Sequence, residues 1–238
     1  MFAVVVGIAC SIAEHVRPAR AIDYRRVVAR DLGSFAIVFV MYILAVVPAS
    51  SWLVRHAQPQ LPAHWPIAKW PLAARLVLYY LAADLGSYLM HLLMHTSWGW
   101  RLHKWHHAPH YMYWFAGARA TVQQMVLFMI PPILATPIIG AAPIWVYWAI
   151  PAEVILRNDW MHMNVAWRSR RLEWLFVTPR YHRVHHSADL RRHLGNYGSL
   201  FTLWDRFFGT RIDPESIKKP LKFGTGEKDN PVRLVVGL

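Results

Sequence analysis

The chain has 238 residues, of which 55% are hydrophobic and only 16% charged, well below the quarter or so expected of a soluble domain. Its formal charge of +13 invites a nucleic-acid reading, but in so apolar a chain the positive-inside rule accounts for it better, so no nucleic-acid partner is expected. The single Cys10 excludes an internal disulfide and any cysteine-built zinc or iron–sulfur site within one chain.

In chain order, the apolar stretch Met1–Ala13 lacks a charged leader and an Ala-x-Ala cleavage site. It reads as a short membrane-embedded helix rather than a removed signal peptide. Gly33–Val54 and Leu72–Leu93 are each about 20 residues long, the length that crosses a bilayer as a helix. Met125–Leu156 is apolar but interrupted by Pro131, Pro132, Pro137, Pro143 and Pro151, and it predicts a helical hairpin that enters the membrane and returns, with Gly140 near its tip. Residues 213–238, rich in Pro, Gly and Lys, read as an irregular basic surface tail.

Charge orients these spans. Residues 14–32 hold Arg17, Arg20, Arg25, Arg26 and Arg30, residues 55–71 hold only Arg55 and Lys69, and fifteen Lys and Arg follow Leu156. Placing the basic segments in the cytoplasm brings residues 91–107 and everything from His162 onward to one face. The expectation is an all-α, multi-pass membrane bundle with a cytoplasmic helical cap, in a bacterial inner membrane or the endoplasmic reticulum.

Nine of the fourteen histidines fall in four motifs on that face: His91 and His95; His103, His106 and His107; His162; and His182, His185 and His186. Residues three or four apart share a helix face, and neutral imidazole is a ligand for iron, zinc, copper and nickel. Nine imidazoles exceed the needs of one metal, so two metals with open positions fit the count. His15, His56 and His64 stand alone and read as interfacial polar residues. There is no H-E-x-x-H helix and no pair of E-x-x-H motifs, which removes the usual zinc-protease and carboxylate di-iron patterns. A zinc-dependent membrane hydrolase or a metal transporter remain the competing readings, although transporters put ligands at the bilayer midplane and these motifs lie at span ends.

The spacing H-x3-H, H-x2-H-H, an isolated histidine near Asn164, then H-x2-H-H resembles the fatty acid hydroxylase / sterol desaturase superfamily of integral-membrane, non-haem di-iron enzymes. Asp84-Leu85-Gly86-Ser87-Tyr88, Thr178-Pro179-Arg180, Asn196-Tyr197-Gly198 and the run Leu203–Thr210 extend the likeness, and Glu14, Pro18 and Asp31 suit its N-terminal segment. Two departures stand out: Leu92 where the family often has Arg, and Arg119–Gln124 where it often shows R-x-H-P-x-E.

The resemblance implies that residues 1–212 form one such membrane domain. It implies two iron ions held by the nine motif histidines, dioxygen as co-substrate, and hydroxylation or desaturation of a lipid such as a sterol or acyl chain. Zinc would replace iron in some preparations. Electrons would come from a separate ferredoxin or cytochrome b5 type donor with an NAD(P)H reductase. His110 and His193 flank the motifs as further candidate ligands or proton carriers. Asp84 and Asn164 are candidates for orienting ligand histidines from behind, Asp84 with the alternative of holding Arg75 or a helix end.

Overall fold

The computed structural model describes residues 2–41, 43–44, 48, 52, 65–188 and 195–226. His56, His64 and His193, and nine of the 22 residues of the predicted span Gly33–Val54, lie outside them. Among the described residues the chain is helical, with two isolated bridges, Pro18 to Val165 and Phe176 to Phe201, in place of any strand.

Three long helices build the frame: α3 (Leu72–Met94), α5 (Val122–Ala135) and α6 (Ile144–His162). Two helices precede them, α1 (Phe2–Val16) and α2 (Tyr24–Met41), and a short one, α4 (Trp100–His107), follows α3. Three short helices complete the chain: α7 (Arg170–Leu175), α8 (Pro179–His185) and α9 (Leu203–Phe207). Among the described residues α3 alone is long and apolar enough to cross a bilayer; its 23 residues rise about 35 Å.

The two helices and the turn of the predicted hairpin are present. Thr136–Ile138 turns once after α5, Gly140 takes a left-handed φ of 57°, and Pro143 starts α6. Proline punctuates by position: Pro137 and Pro143 sit in the turn, whereas Pro131, Pro132 and Pro151 lie inside α5 and α6. Pro131 is part of the packing, because a side chain at Gly86 of α3 would put its Cβ 2.6 Å from the proline Cβ. Arg75, at the start of α3, fastens the tip by donating to the carbonyls of Ile139 and Ala141, while Tyr79, Ala83, Ala135, Ile139 and Val146 close a small apolar core beneath it. The tip thus sits at one end of α3, and the histidines at the other.

The N-terminal helices dock on the same end as the histidines. Glu14, fully buried, accepts from the backbone N–H groups of Trp114 and Asn164 and from the Tyr24 hydroxyl. Asp31 of α2 accepts from Tyr113 and pairs with Arg119. The segment after α9 is more than a solvated tail up to residue 226. Pro214 and Gly224 are buried, Glu215 pairs with Arg168 and Arg180, and the Lys222 carbonyl accepts from Ala188.

Candidate metal centre

All nine motif histidines converge, and they divide into two groups. His91, His95, His103, His107 and His185 form a five-histidine group; His106, His162, His182 and His186 form a four-histidine group. Within each, one nitrogen per ring lies within 4.8 Å of every other.

Helix geometry explains the division. On α4, His103 and His107 are four residues apart and point the same way, while His106 is rotated to the other flank. On α8 the same spacing puts His182 and His186 in the four-histidine group and His185 in the other. Each H-x2-H-H motif therefore straddles both groups. The set is completed by His91 and His95 from the end of α3 and by His162 from the end of α6.

The nitrogens are spaced as ligands to a common centre would be. The Nε2 atoms of His91 and His103 are 3.1 Å apart, those of His103 and His107 3.2 Å, and those of His107 and His185 3.2 Å. In the other group the pairs His106–His162, His162–His182 and His182–His186 are 3.2, 3.1 and 3.0 Å apart. A metal–nitrogen bond of about 2.1 Å places ligands at right angles about 3.0 Å apart, and tetrahedral ones about 3.4 Å. Inward-facing lone pairs at this distance repel each other unless a cation lies between them. The residues present therefore fit a pair of nitrogen-ligated metal ions.

The outer ring nitrogens support this. Nδ1 of His91 donates to the Tyr197 carbonyl at 2.8 Å, His106 to Arg119 at 2.9 Å, His162 to Asn158 at 2.7 Å and His185 to Gly195 at 2.9 Å. A proton fixed on Nδ1 leaves the Nε2 lone pair for a metal. Burial pushes His103, His107, His182 and His186 well below the ordinary histidine range, and neighbouring imidazoles push the same way; it brings His106 down to about 4. At neutral pH these rings are neutral, which is the ligating form.

Asp84 and Asn164 work through the backbone. The Asp84 carboxylate accepts from Leu200 and Phe201 N–H and from the Trp204 indole, so it holds the loop whose Tyr197 carbonyl orients His91. Arg75, the alternative partner for Asp84, is engaged at the hairpin tip. Asn164 exchanges hydrogen bonds with Arg20 and lets Glu14 tie α1 to the end of α6. His110 joins neither group: it is exposed and packs against Gly224.

Other positioning residues complete the surroundings, among them Asp205, which the Leu203–Thr210 run marks as a packing or capping residue. Asp205, fully buried, accepts from Tyr197 N–H, Gly198 N–H and the hydroxyls of Thr210 and Tyr181. Gly117 allows His162 its place, since a Cβ there would lie 2.6 Å from Nδ1. Arg119, at the departure from the family pattern, offers its carbonyl to His106 and lays its guanidinium over Trp105. The i−4 carbonyl that holds His162 follows from helix geometry, whereas the Gly195, Tyr197 and Arg119 carbonyls are visible only in three dimensions.

The fatty acid hydroxylase family pattern matches residues 76–210, which span every one of the nine histidines. The chain belongs to the fatty acid hydroxylase family. Among its curated relatives, ornithine lipid hydroxylase OlsE of Rhizobium tropici is 34% identical over 166 residues, covering 66% of this chain and 48% of that protein. Alkylglycerol monooxygenase of Danio rerio is 30% identical over 156 residues, 65% of this chain and 34% of the relative. Methylsterol monooxygenase 1-3 of Arabidopsis thaliana is 28% identical over 164 residues, 66% of this chain and 56% of the relative. The similarity thus spans between a third and just over half of each relative's length. No solved structure matches the chain.

Proposed function

We propose that this chain is a membrane-embedded oxidoreductase that uses a histidine-held pair of iron ions and dioxygen to hydroxylate or desaturate a lipid. The observation that carries the reading is the pair of adjacent all-histidine groups, buried and with ring orientation fixed by backbone carbonyls. The family and its relatives, which are hydroxylases and monooxygenases of lipids, support the reaction class. Among the described residues neither group includes a carboxylate, so the general base of a zinc hydrolase has no counterpart beside them.

In this reading His91, His95, His103, His107 and His185 hold one iron, and His106, His162, His182 and His186 the other. Bound there, the irons would supply dioxygen activation and oxidation of an unactivated C–H bond, with two electrons and two protons taken up per oxygen inserted. The chain's own part is geometric: the Tyr197, Gly195, Arg119 and Asn158 carbonyls keep each anchored ring in one tautomer, and burial keeps the His103, His106, His107, His182 and His186 imidazoles neutral.

The membrane arrangement belongs to the same proposal. The α5–α6 hairpin enters the bilayer beside the spanning α3 and returns, with the histidines at the cytoplasmic face. Exposed Ile144, Trp145 and Trp148 on α6 and Val77 and Leu89 on α3 are the apolar surface lipid would cover. Residues 1–212 act as one domain, with residues 213–226 packed against it as a basic extension, and electrons arrive from a separate cytoplasmic donor of ferredoxin or cytochrome b5 type. The test is anaerobic ferrous loading of purified protein. Two irons per chain, with dioxygen and reductant consumed only when lipid is present, is the expected result; one iron or none overturns the reading.

A further inference from the structure

Nδ1 of His91, His106, His162 and His185 each reaches a backbone carbonyl, whereas that of His103 reaches none among the described residues. His103 nevertheless stands in the middle of the five-histidine group. Its Nε2 is 3.1 Å from that of His91 and 3.2 Å from that of His107. The element that faces it from outside is the start of α5. Phe128 meets the rings of His91 and His103, at 5.9 and 6.2 Å between centroids, and Gln124 lies one turn earlier on the same helix face.

The local fold fixes Gln124 in that place. Thr121 caps α5: its hydroxyl accepts from the Gln124 N–H at 3.1 Å and donates to the Leu102 carbonyl at 3.0 Å, one residue before His103. The Gln124 side chain is buried and reaches the His103 ring. Its Oε1 and the ring's Nδ1 are both buried, and among the described residues neither has a well-aligned partner. The first is an acceptor. The second carries a proton, and is a donor, whenever Nε2 gives its lone pair to a metal. Left apart, two such buried atoms are each costly, and the terminal torsion of a glutamine is soft enough to align them.

We propose that Gln124 is a positioning residue of the five-histidine group: its carboxamide oxygen accepts from His103 Nδ1–H and so holds the tautomer that presents Nε2, without adding charge. Gln124 closes the stretch Arg119–Gln124, where the family pattern often ends on an acid. A carboxylate there would accept more strongly and give the ring anionic character, which tightens the hold on a dication; the carboxamide supplies orientation alone. The inference rests on the metal-centre reading and deepens it, and it is read by metal binding rather than turnover. Wild-type protein that binds no cobalt would overturn both, whereas two bound cobalts with indifferent Gln124 variants would overturn this inference alone.

The experiment is cobalt titration of the purified full-length, metal-free protein, followed by visible absorbance and by the proton NMR signals of the cobalt-bound imidazoles. A ring N–H on such an imidazole is shifted far outside the diamagnetic range, and its exchange in heavy water slows when it is hydrogen-bonded. Gln124→Leu, which keeps the bulk and removes the acceptor, should weaken one cobalt step about 10–100-fold, leave the other unchanged and speed the exchange of one shifted N–H. Gln124→Glu, which restores an acceptor, should bind that cobalt at least as tightly as wild type and slow the same exchange. A folded Gln124→Leu protein with both steps and every shifted N–H like wild type overturns the proposal. So does Gln124→Glu binding as weakly as Gln124→Leu, the behaviour of a side chain needed only for packing. Should Gln124→Leu fail to fold, Gln124→Glu against wild type decides, and an unchanged N–H exchange rate overturns the proposal.

Discussion

The two histidine groups are built from the same short motifs yet held by opposite ends of the chain. In the five-histidine group the anchoring carbonyls, Tyr197 for His91 and Gly195 for His185, belong to one C-terminal loop. That loop is gripped by Asp205, and by Asn196, whose left-handed φ of 59° lets its side chain bridge Tyr181 and Ile212. In the four-histidine group His106 leans on Arg119, which Asp31 of α2 holds, and His162 leans on its own helix. The local motif supplies histidines to both groups at once, and long-range contacts decide how firmly each group is set.

The largest expected effect separates the groups by count. Alanine at any of the nine motif histidines should abolish turnover. Iron content should split the variants: His162→Ala leaves the smaller group one ligand short and should retain about one iron per chain, whereas His95→Ala leaves a four-nitrogen set and should stay near two. Elemental analysis after ferrous loading reads this directly. The same iron content in both variants would mean that the groups are not independent.

A second pair of variants attacks the anchors. Asp205→Ala should loosen the five-histidine group, and Asp31→Ala the four-histidine group, each weakening its own metal about 10–100-fold, the usual effect of removing a group that orients ligands. Cobalt titration of each folded variant should show one weakened step and one unchanged step. Weakening of both steps by Asp205→Ala would erase the contrast between the two ends of the chain.

The clustering of the nine histidines was legible in the sequence because so apolar a chain has little use for so many grouped imidazoles except metal binding, and the hairpin because prolines bracket Gly140. The allocation of ligands was less so. The i, i+4 spacing says that His103 and His107 share a face, but only the tertiary approach of α8 shows which face of that helix meets them. Asp84 illustrates the other difficulty. Its place seven residues before His91 left orienting a ligand ring and holding Arg75 or a helix end equally open, yet the groups it satisfies are N–H donors at positions 200 and 201, more than a hundred residues away. Glu14 and Asp31 fit the family pattern, but their work as anchors of Asn164 and Arg119 depends on contacts no local pattern encodes.

Protonation should not distinguish the groups, since burial lowers His103 and His107 in one and His106, His182 and His186 in the other. A histidine whose folded pKa lies below its unfolded value binds fewer protons folded than unfolded, so its contribution to stability falls as pH drops from about 6.5. For His106 that loss continues down to about pH 4. Metal-free protein is therefore expected to lose resistance to denaturant steadily across this window, followed by tryptophan fluorescence, and both metals should leave together on acidification. Release of one metal more than a pH unit before the other would show a protonation asymmetry that the anchoring contrast does not contain.

The smallest effect should come from the end of the frame that neither group touches. Gly140 has a φ of 57°, and a Cβ there would stand 2.8 Å from Arg75 Nη1. That neighbour is the tip of a side chain and can shift, so the main cost of Gly140→Ala is the left-handed backbone, about 1–2 kcal/mol. The histidines lie at the far end of α3, roughly 24 Å from Arg75 at 1.5 Å per residue. The variant should therefore unfold slightly earlier while keeping two irons and both cobalt steps. A Gly140→Ala protein that lost one metal selectively would show that the hairpin is wired to a single group through α5 or α6. The independence assigned to the C-terminal loop and to α2 would then have to be shared with the tip.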